Sequence, residues 1–195
     1  MGKGRLEAQT DGVIAIIITI MVLNLDLPKT ADFAGLAAIA PTLFIYALSF
    51  LNVGIFWNNH HHMLHVTKRI DGHVLWKNLF LLFWLSLVPF VIRWIASAGV
   101  AALPVASYGF VLTMAAIGYS AVERRLVIYR ENAALAESLG RDWKGWSSLA
   151  AYIAAMPLAF LSPWISLALY LAVAILWLVP DKRIERRLAR SEESH

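Results

Sequence analysis

The sequence predicts an all-α integral membrane protein of six transmembrane helices, with both termini on the cytoplasmic side. Three observations carry that expectation. Of the 195 residues, 59% are hydrophobic and 15% charged, with mean hydropathy +0.64; a soluble domain is nearer about half apolar and a quarter charged. Apolar stretches long enough to span a bilayer recur along most of the chain. The Lys and Arg residues gather in alternate connections between those stretches.

The elements follow in order. Residues 5–27, RLEAQTDGVIAIIITIMVLNLDL, place a charged Asp11 at the mouth of a first helix, 11–27, that is otherwise almost wholly apolar. Ile16, Thr19, Ile20, Leu23 and Leu27 recur in it at steps of three or four, which puts them on one helical face. Pro28-Lys29-Thr30-Ala31-Asp32 separates it from a second helix, 35–62. Asn52 there suits an interhelical hydrogen bond. The third helix, 74–97, contains Pro89, expected to kink it, and Arg93, long enough to snorkel to the outer interface. A run of small residues between Ser97 and Pro104 leads to the fourth, 104–129, whose pattern through 123–145 predicts a helix continuing past the membrane to Gly140.

The last two spans, 146–161 and 164–180, flank a tight turn at Ser162-Pro163, because proline starts helices well and interrupts them badly. Both are short for a hydrocarbon core of about 30 Å, which takes about 20 residues. Trp146, Trp164 and Trp177 can extend them into the interface. The tail, DKRIERRLARSEESH, reads as a short basic helix that frays. No soluble domain or cleavable signal peptide is expected, so residues 1–195 read as one six-helix domain.

Six spans put the N-terminus, the 63–77 and 123–145 connections and the tail on one side. That side carries 15 of the 17 Lys and Arg residues, against Lys29 and Arg93 on the other. The positive-inside rule makes the basic side cytoplasmic.

Several classes of function are excluded. The chain has no cysteine, hence no disulfide framework or thiolate site. Its net charge of +4 and pI near 9.5 lie in short connections, which does not fit a nucleic-acid surface. Asp11 and Asp26 sit at opposite ends of one helix, and no nucleophile elbow, zinc helix or phosphate loop is present, so no enzyme is predicted. The Thr-Val-Gly-Tyr-Gly filter of ordinary potassium channels is absent too.

Two constellations remain. The first-helix stripe fits either buried core or the lining of a pore built from several copies, with apolar rings that gate by dewetting and a Thr hydroxyl as a polar foothold. Gly12 and Ala15 allow a neighbouring helix to approach closely. The second constellation is Trp57-Asn58-Asn59-His60-His61-His62, with His65 one turn on. His61 and His65 have metal-ligand spacing, but no acid stands behind them and no metal site is predicted. Hydrogen bonds from Trp57 and the imidazoles to Asp11 or Thr10, at the same depth, fit better. Trp76, Asn78 and Arg5 are candidates to complete that cluster, and the histidines leave room for proton sensitivity.

These residues resemble the lysosomal-type potassium channel family and its single-repeat prokaryotic members. Arg5-x-x-x-Gln9-Thr10-Asp11-Gly12, followed by the apolar run, is similar to that family's first-helix signature of Arg, three residues, then Phe-Ser-Asp. Trp57-x-x-His60-His61 and Leu75-Trp76-x-Asn78 resemble its second- and third-helix signatures. The resemblance spans residues 5–90. It implies a homotetramer in the inner membrane of a prokaryote, conducting potassium over sodium as a leak, with proton permeation known in the lysosomal members. Ile16 would form an apolar constriction, with Thr19, Ile20, Leu23 and Leu27 beyond it. Arg5, Thr10, Asp11, Trp57, His60 and Asn78 would brace the pore helix. No cofactor is implied besides the permeant ion, and no partner besides further copies and the bilayer. Gln9 and Thr10 depart from the family's Phe and Ser; Thr10 keeps the hydroxyl, whereas Gln9 loses an aromatic anchor. Two other functions fit the residues: a proton-coupled transporter relaying through Asp11 and His60, and a non-transporting membrane scaffold.

Overall fold

The computed structural model describes residues 2–133, 135 and 143–178. Every regular element in them is helical: α1 Lys3–Leu23, α2 Phe33–His65, α3 Gly72–Ser86, α4 Val88–Ala98, α5 Ala102–Leu126, a 3-10 turn at Arg130–Asn132, α6 Trp143–Leu158 and α7 Pro163–Leu178. α3 and α4 continue one another as a single apolar rod, Gly72–Ala98. α1, α2, this rod and α5 are each long and apolar enough to cross a membrane. α6 and α7, of 16 residues each, are about 24 Å long at 1.5 Å per residue, shorter than the other four rods.

Local chemistry sets the boundaries. Asp32 caps α2 by accepting from Gly35 N at 2.8 Å, and Asp71 caps α3 by accepting from Val74 N at 2.9 Å. Gly35 is required, since a Cβ there would run into the Thr30 carbonyl. The third span breaks at Leu87, two residues before Pro89, whose ring cannot sit in a continuous helix; the kink lies where the sequence places it. Pro163 opens α7 directly after the turn at Ser162.

Three expected ends differ. The first helix begins at Lys3, so Asp11 lies inside α1 and not at its mouth. The first helix stops at Leu23, so Leu27 lies beyond it and off the helical stripe. Asn24 closes the helix through its N–H to the Met21 and Val22 carbonyls, and its side chain donates to the Pro89 carbonyl at 3.3 Å. The fourth helix stops at Leu126, well short of Gly140. There Asn132 Nδ2 donates to the Leu126 carbonyl at 2.9 Å, while its Oδ1 accepts from the backbone N–H groups of Lys68 and Arg69. A side chain six residues on, itself tied to the α2–α3 connection, thus takes up the last carbonyl of the helix, which periodicity cannot reveal. Gly140, the stretch around it and the basic tail lie outside the described residues.

The main core runs through all seven helices, from Ile14, Ile17 and Met21 of α1 to Tyr170 and Ala174 of α7. α5 is its centre, packed against α3 on one side and α6 on the other. Within it Asn52 donates to the Tyr108 hydroxyl (3.4 Å) and accepts from that of Tyr152 (3.3 Å). The predicted interhelical role of Asn52 is therefore observed, joining α2, α5 and α6.

Candidate pore helix and its braces

α1 has two contrasting faces. Leu6, Thr10, Ile14, Ile17 and Met21, spaced four, four, three and four residues apart, are at most 3% exposed and pack inward on the bundle. The opposite face holds Gly12, Ala15, Ile16, Thr19, Ile20 and Leu23, all exposed. Ile16 is 58% exposed and Leu23 80%. The stripe is therefore not core among the described residues, and beyond α1's own backbone none of them stands within 4 Å of where a Cβ of Gly12 would lie. The Thr19 hydroxyl donates into its own helix, toward the Ala15 and Ile16 carbonyls at 3.1 and 2.9 Å, and presents its oxygen lone pairs on the exposed face.

This open face also differs in composition from the rest of the surface. Every other helix exposes aromatic rings: Phe33, Phe44 and Phe50 on α2, Trp76 and Phe83 on α3, Phe90 on α4, Phe110 on α5, Trp143 and Trp146 on α6, Trp164 on α7. α1 contains no aromatic residue at all.

Two hydrogen-bonded connections fix α1 against its neighbours near its N-terminal end. Trp57 Nε1 donates to Asp11 Oδ1 at 2.9 Å, tying α2 to α1. At the adjacent, buried position of α1, Asn78 Nδ2 donates to Thr10 Oγ1 at 2.9 Å, and Asn78 Oδ1 lies 2.8 Å from His60 Nε2. An amide oxygen only accepts, so this bond requires a proton on His60 Nε2. Thr10, Asn78 and His60 are 0%, 1% and 2% exposed, so these bonds satisfy groups that water cannot reach. Five of the six predicted bracing residues thus come together from three helices. Arg5 does not join them: its side chain is exposed on the stripe side of α1, without a hydrogen bond or ion pair among the described residues. Trp76 is 74% exposed and also stands apart.

The remaining imidazoles form an outer layer. His61 stacks on Trp57 with ring centroids 6.1 Å apart, and His65 follows at 6.3 Å. Lys3 Nζ donates to the His65 carbonyl at 2.9 Å, securing the start of α1 on the end of α2. Among the described residues no group of three or more acidic, His or Cys side chains could hold a metal.

Sequence reasoning missed a second cluster at the same end of the bundle. Arg125 on α5 donates to Asp71 Oδ2 at 2.6 Å from Nη2 and 3.0 Å from Nε, and Tyr129 donates to the same oxygen at 2.7 Å. Arg69 pairs with Glu131 at 2.8 Å. The Arg125 hydrogen bonds, helped by those from Tyr129 and Val74 N–H, hold the Asp71 carboxyl well below the usual carboxylate range despite partial desolvation. Asp71-Gly72 ahead of an apolar run is a readable cap signal. Its partners lie 54 and 58 residues away and leave no local trace.

The comparisons with known proteins meet this geometry directly. The family model for the endosomal/lysosomal potassium channel TMEM175 matches residues 5–89, the stretch that contains both brace connections. A potassium channel of Chryseobacterium sp. strain P1-3 is 46% identical over 189 residues, covering 96% of this chain and 98% of that one. The chain belongs to the TMEM175 potassium-channel family. A potassium channel of Chamaesiphon minutus is 29% identical over 88% of this chain and 91% of its own length. The human endosomal/lysosomal proton channel TMEM175 is 34% identical over 96 residues, 43% of this chain and 19% of that protein. The fold likewise matches the crystal structure of a lysosomal potassium-selective TMEM175 homologue from Chamaesiphon minutus, at TM-score 0.77 and 24% identity, over 91% of this chain and 96% of that one. Membership makes this TMEM175-family chain a multi-pass membrane channel, not an enzyme.

Proposed function

We propose that the protein is a homotetrameric, potassium-permeable leak channel of a prokaryotic inner membrane, with four copies of α1 around the ion pathway and both termini cytoplasmic. The observation that carries this reading is the face of α1 bearing Ile16, Thr19, Ile20 and Leu23: exposed in one chain, free of aromatic rings, and backed by a braced opposite face. A lipid-facing stripe needs neither the bracing nor the small residues at Gly12 and Ala15. Ile16 is the constriction, followed outward by Thr19, Ile20 and Leu23. Leu27 leaves this set because it lies off the helix. A ring of Ile side chains dewets when narrow and passes a partly hydrated cation only when wider, which predicts modest selectivity for potassium over sodium. Asp11 is a brace bonded to Trp57, not an ion ligand. Proton permeation fits the human relative described as a proton channel.

The test is potassium flux from liposomes containing the purified oligomer, with sodium flux in parallel. Potassium efflux exceeding sodium efflux is expected; no flux at any pH would end the channel reading. In the same assay Ile16→Asn should raise total conductance and erode selectivity, because an amide wets the ring. Unchanged values for both would remove Ile16 as the constriction.

A further inference from the structure

At the end of the bundle that bears the braces, an open groove of about 800 Å³ runs between α3 and α6, floored by α5. Its floor and far wall are apolar, with Ile117 and Ala121 from α5 and Leu149 from α6. Its rim is cationic, with Lys77 from α3 and Arg124 from α5. Neighbouring Arg125 is occupied by Asp71. Among the described residues, Lys77 and Arg124 have no acidic partner within ion-pair distance. Arg124 lies instead over the Trp146 ring, 5.4 Å from its centroid. Glu123, the one acidic lining residue among the described residues, is buried and in contact with other groups. Trp76, Trp143 and Trp146, 56–74% exposed at this same end, mark the headgroup level.

We propose that this groove binds an anionic phospholipid, with its phosphate between Lys77 and Arg124 and one acyl chain along Ile117, Ala121 and Leu149. Two cations at headgroup depth, without an acidic partner among the described residues, attract an anion. An apolar trough continuing from them toward the membrane interior suits an acyl chain and offers nothing to a small soluble anion. The charge and the trough together select a lipid of negative headgroup over a zwitterionic one.

Native mass spectrometry of the purified full chain in detergent, titrated separately with phosphatidylglycerol and phosphatidylcholine, tests this. Phosphatidylglycerol should be retained preferentially, and K77Q/R124Q should weaken its binding about tenfold or more, as expected for two lost cation contacts near the surface. K29Q/K68Q removes equal charge outside the groove and should leave retention unchanged. Excess sn-glycerol 3-phosphate should not displace the lipid. Equal retention of the two lipids, equal loss in the control variant, undiminished binding by K77Q/R124Q, or displacement by the soluble phosphate would each overturn the proposal. A phosphatidylglycerol with a photoreactive headgroup gives a readout that needs no variant. Labelling of the wild-type chain within 73–77, 117–128 or 145–149 supports the groove, and labelling confined to other segments overturns it.

Discussion

Asn78 carries the most chemistry per residue in the brace, because one amide serves two helices at once. It donates to Thr10 on α1 and accepts from His60 on α2, and all three side chains are buried. Replacing it with Leu keeps the branched heavy-atom shape but leaves the Thr10 and His60 polar groups without their partner. Such interhelical bonds in membranes contribute about 1 kcal/mol each, so Asn78→Leu should destabilise the fold by roughly 1–3 kcal/mol once stranded groups are included. A double-mutant cycle with Thr10→Val, read by denaturant unfolding in detergent, checks the claim. The two substitutions together should cost clearly less than the sum of the single costs; additive losses would mean that the bond contributes nothing measurable. Trp57 and Asp11 behave differently, since that bond is partly exposed. Trp57→Phe should therefore affect the angle of α1, and hence conductance, more than stability.

At the scale of elements, the connection between α2 and α3 is held by the Asp71–Arg125–Tyr129 cluster and by Asn132. The pH dependence of that hold has a definite sign. The folded state lowers the affinity of Asp71 for its proton below the ordinary value of 3.8, so its contribution is complete above about pH 5 and is lost as pH falls from about 4 toward the lower folded value. Thermal unfolding of the wild type and Asp71→Asn across pH 2–7 should show a constant gap at neutral pH that closes in acid. A gap independent of pH would mean that the carboxylate's charge is irrelevant there. The same region separates what the sequence discloses from what it hides. Apolar length located the helices, four of them long and apolar enough to cross a membrane, and Pro89 and Pro163 marked a kink and a helix start by the local rules of proline. The Thr10, Asp11, Trp57, His60 and Asn78 cluster was legible because topology brings those residues to one depth and their polarity stands out against apolar helices. The end of α5 and the Asp71 cluster were not legible: both depend on Asn132, Arg125 and Tyr129 reaching across the chain, with no periodic signature. The end of α1 escaped for a similar reason, since Asn24 is drawn to the kink at Pro89 while Leu27 keeps the spacing of the stripe.

For the whole molecule, the faces of α1 decide how copies assemble. If four copies surround an axis, as proposed, residues of the exposed stripe meet their counterparts across it, whereas residues of the buried face never do. The native chain has no cysteine, so single introduced cysteines report on this without background. Ile16→Cys and Leu23→Cys in membranes should form disulfide-linked dimers on mild oxidation, because symmetry brings identical positions to short separation near an axis. Ile17→Cys, one residue from Ile16 but 3% exposed and turned into the bundle, should stay monomeric under the same oxidation. Phe83→Cys, exposed on α3, reports on lipid-facing collisions and should cross-link no faster than diffusion allows. Efficient linkage at 16 and 23 alone fits a central α1. Equal linkage at 16 and 83 would make the α1 stripe one more lipid-facing surface and would move the pore elsewhere. A subunit count by native mass spectrometry then separates four copies from two. The pattern matters more than the yield, because only a rotationally symmetric axis beside α1 links one face of that helix and spares the other.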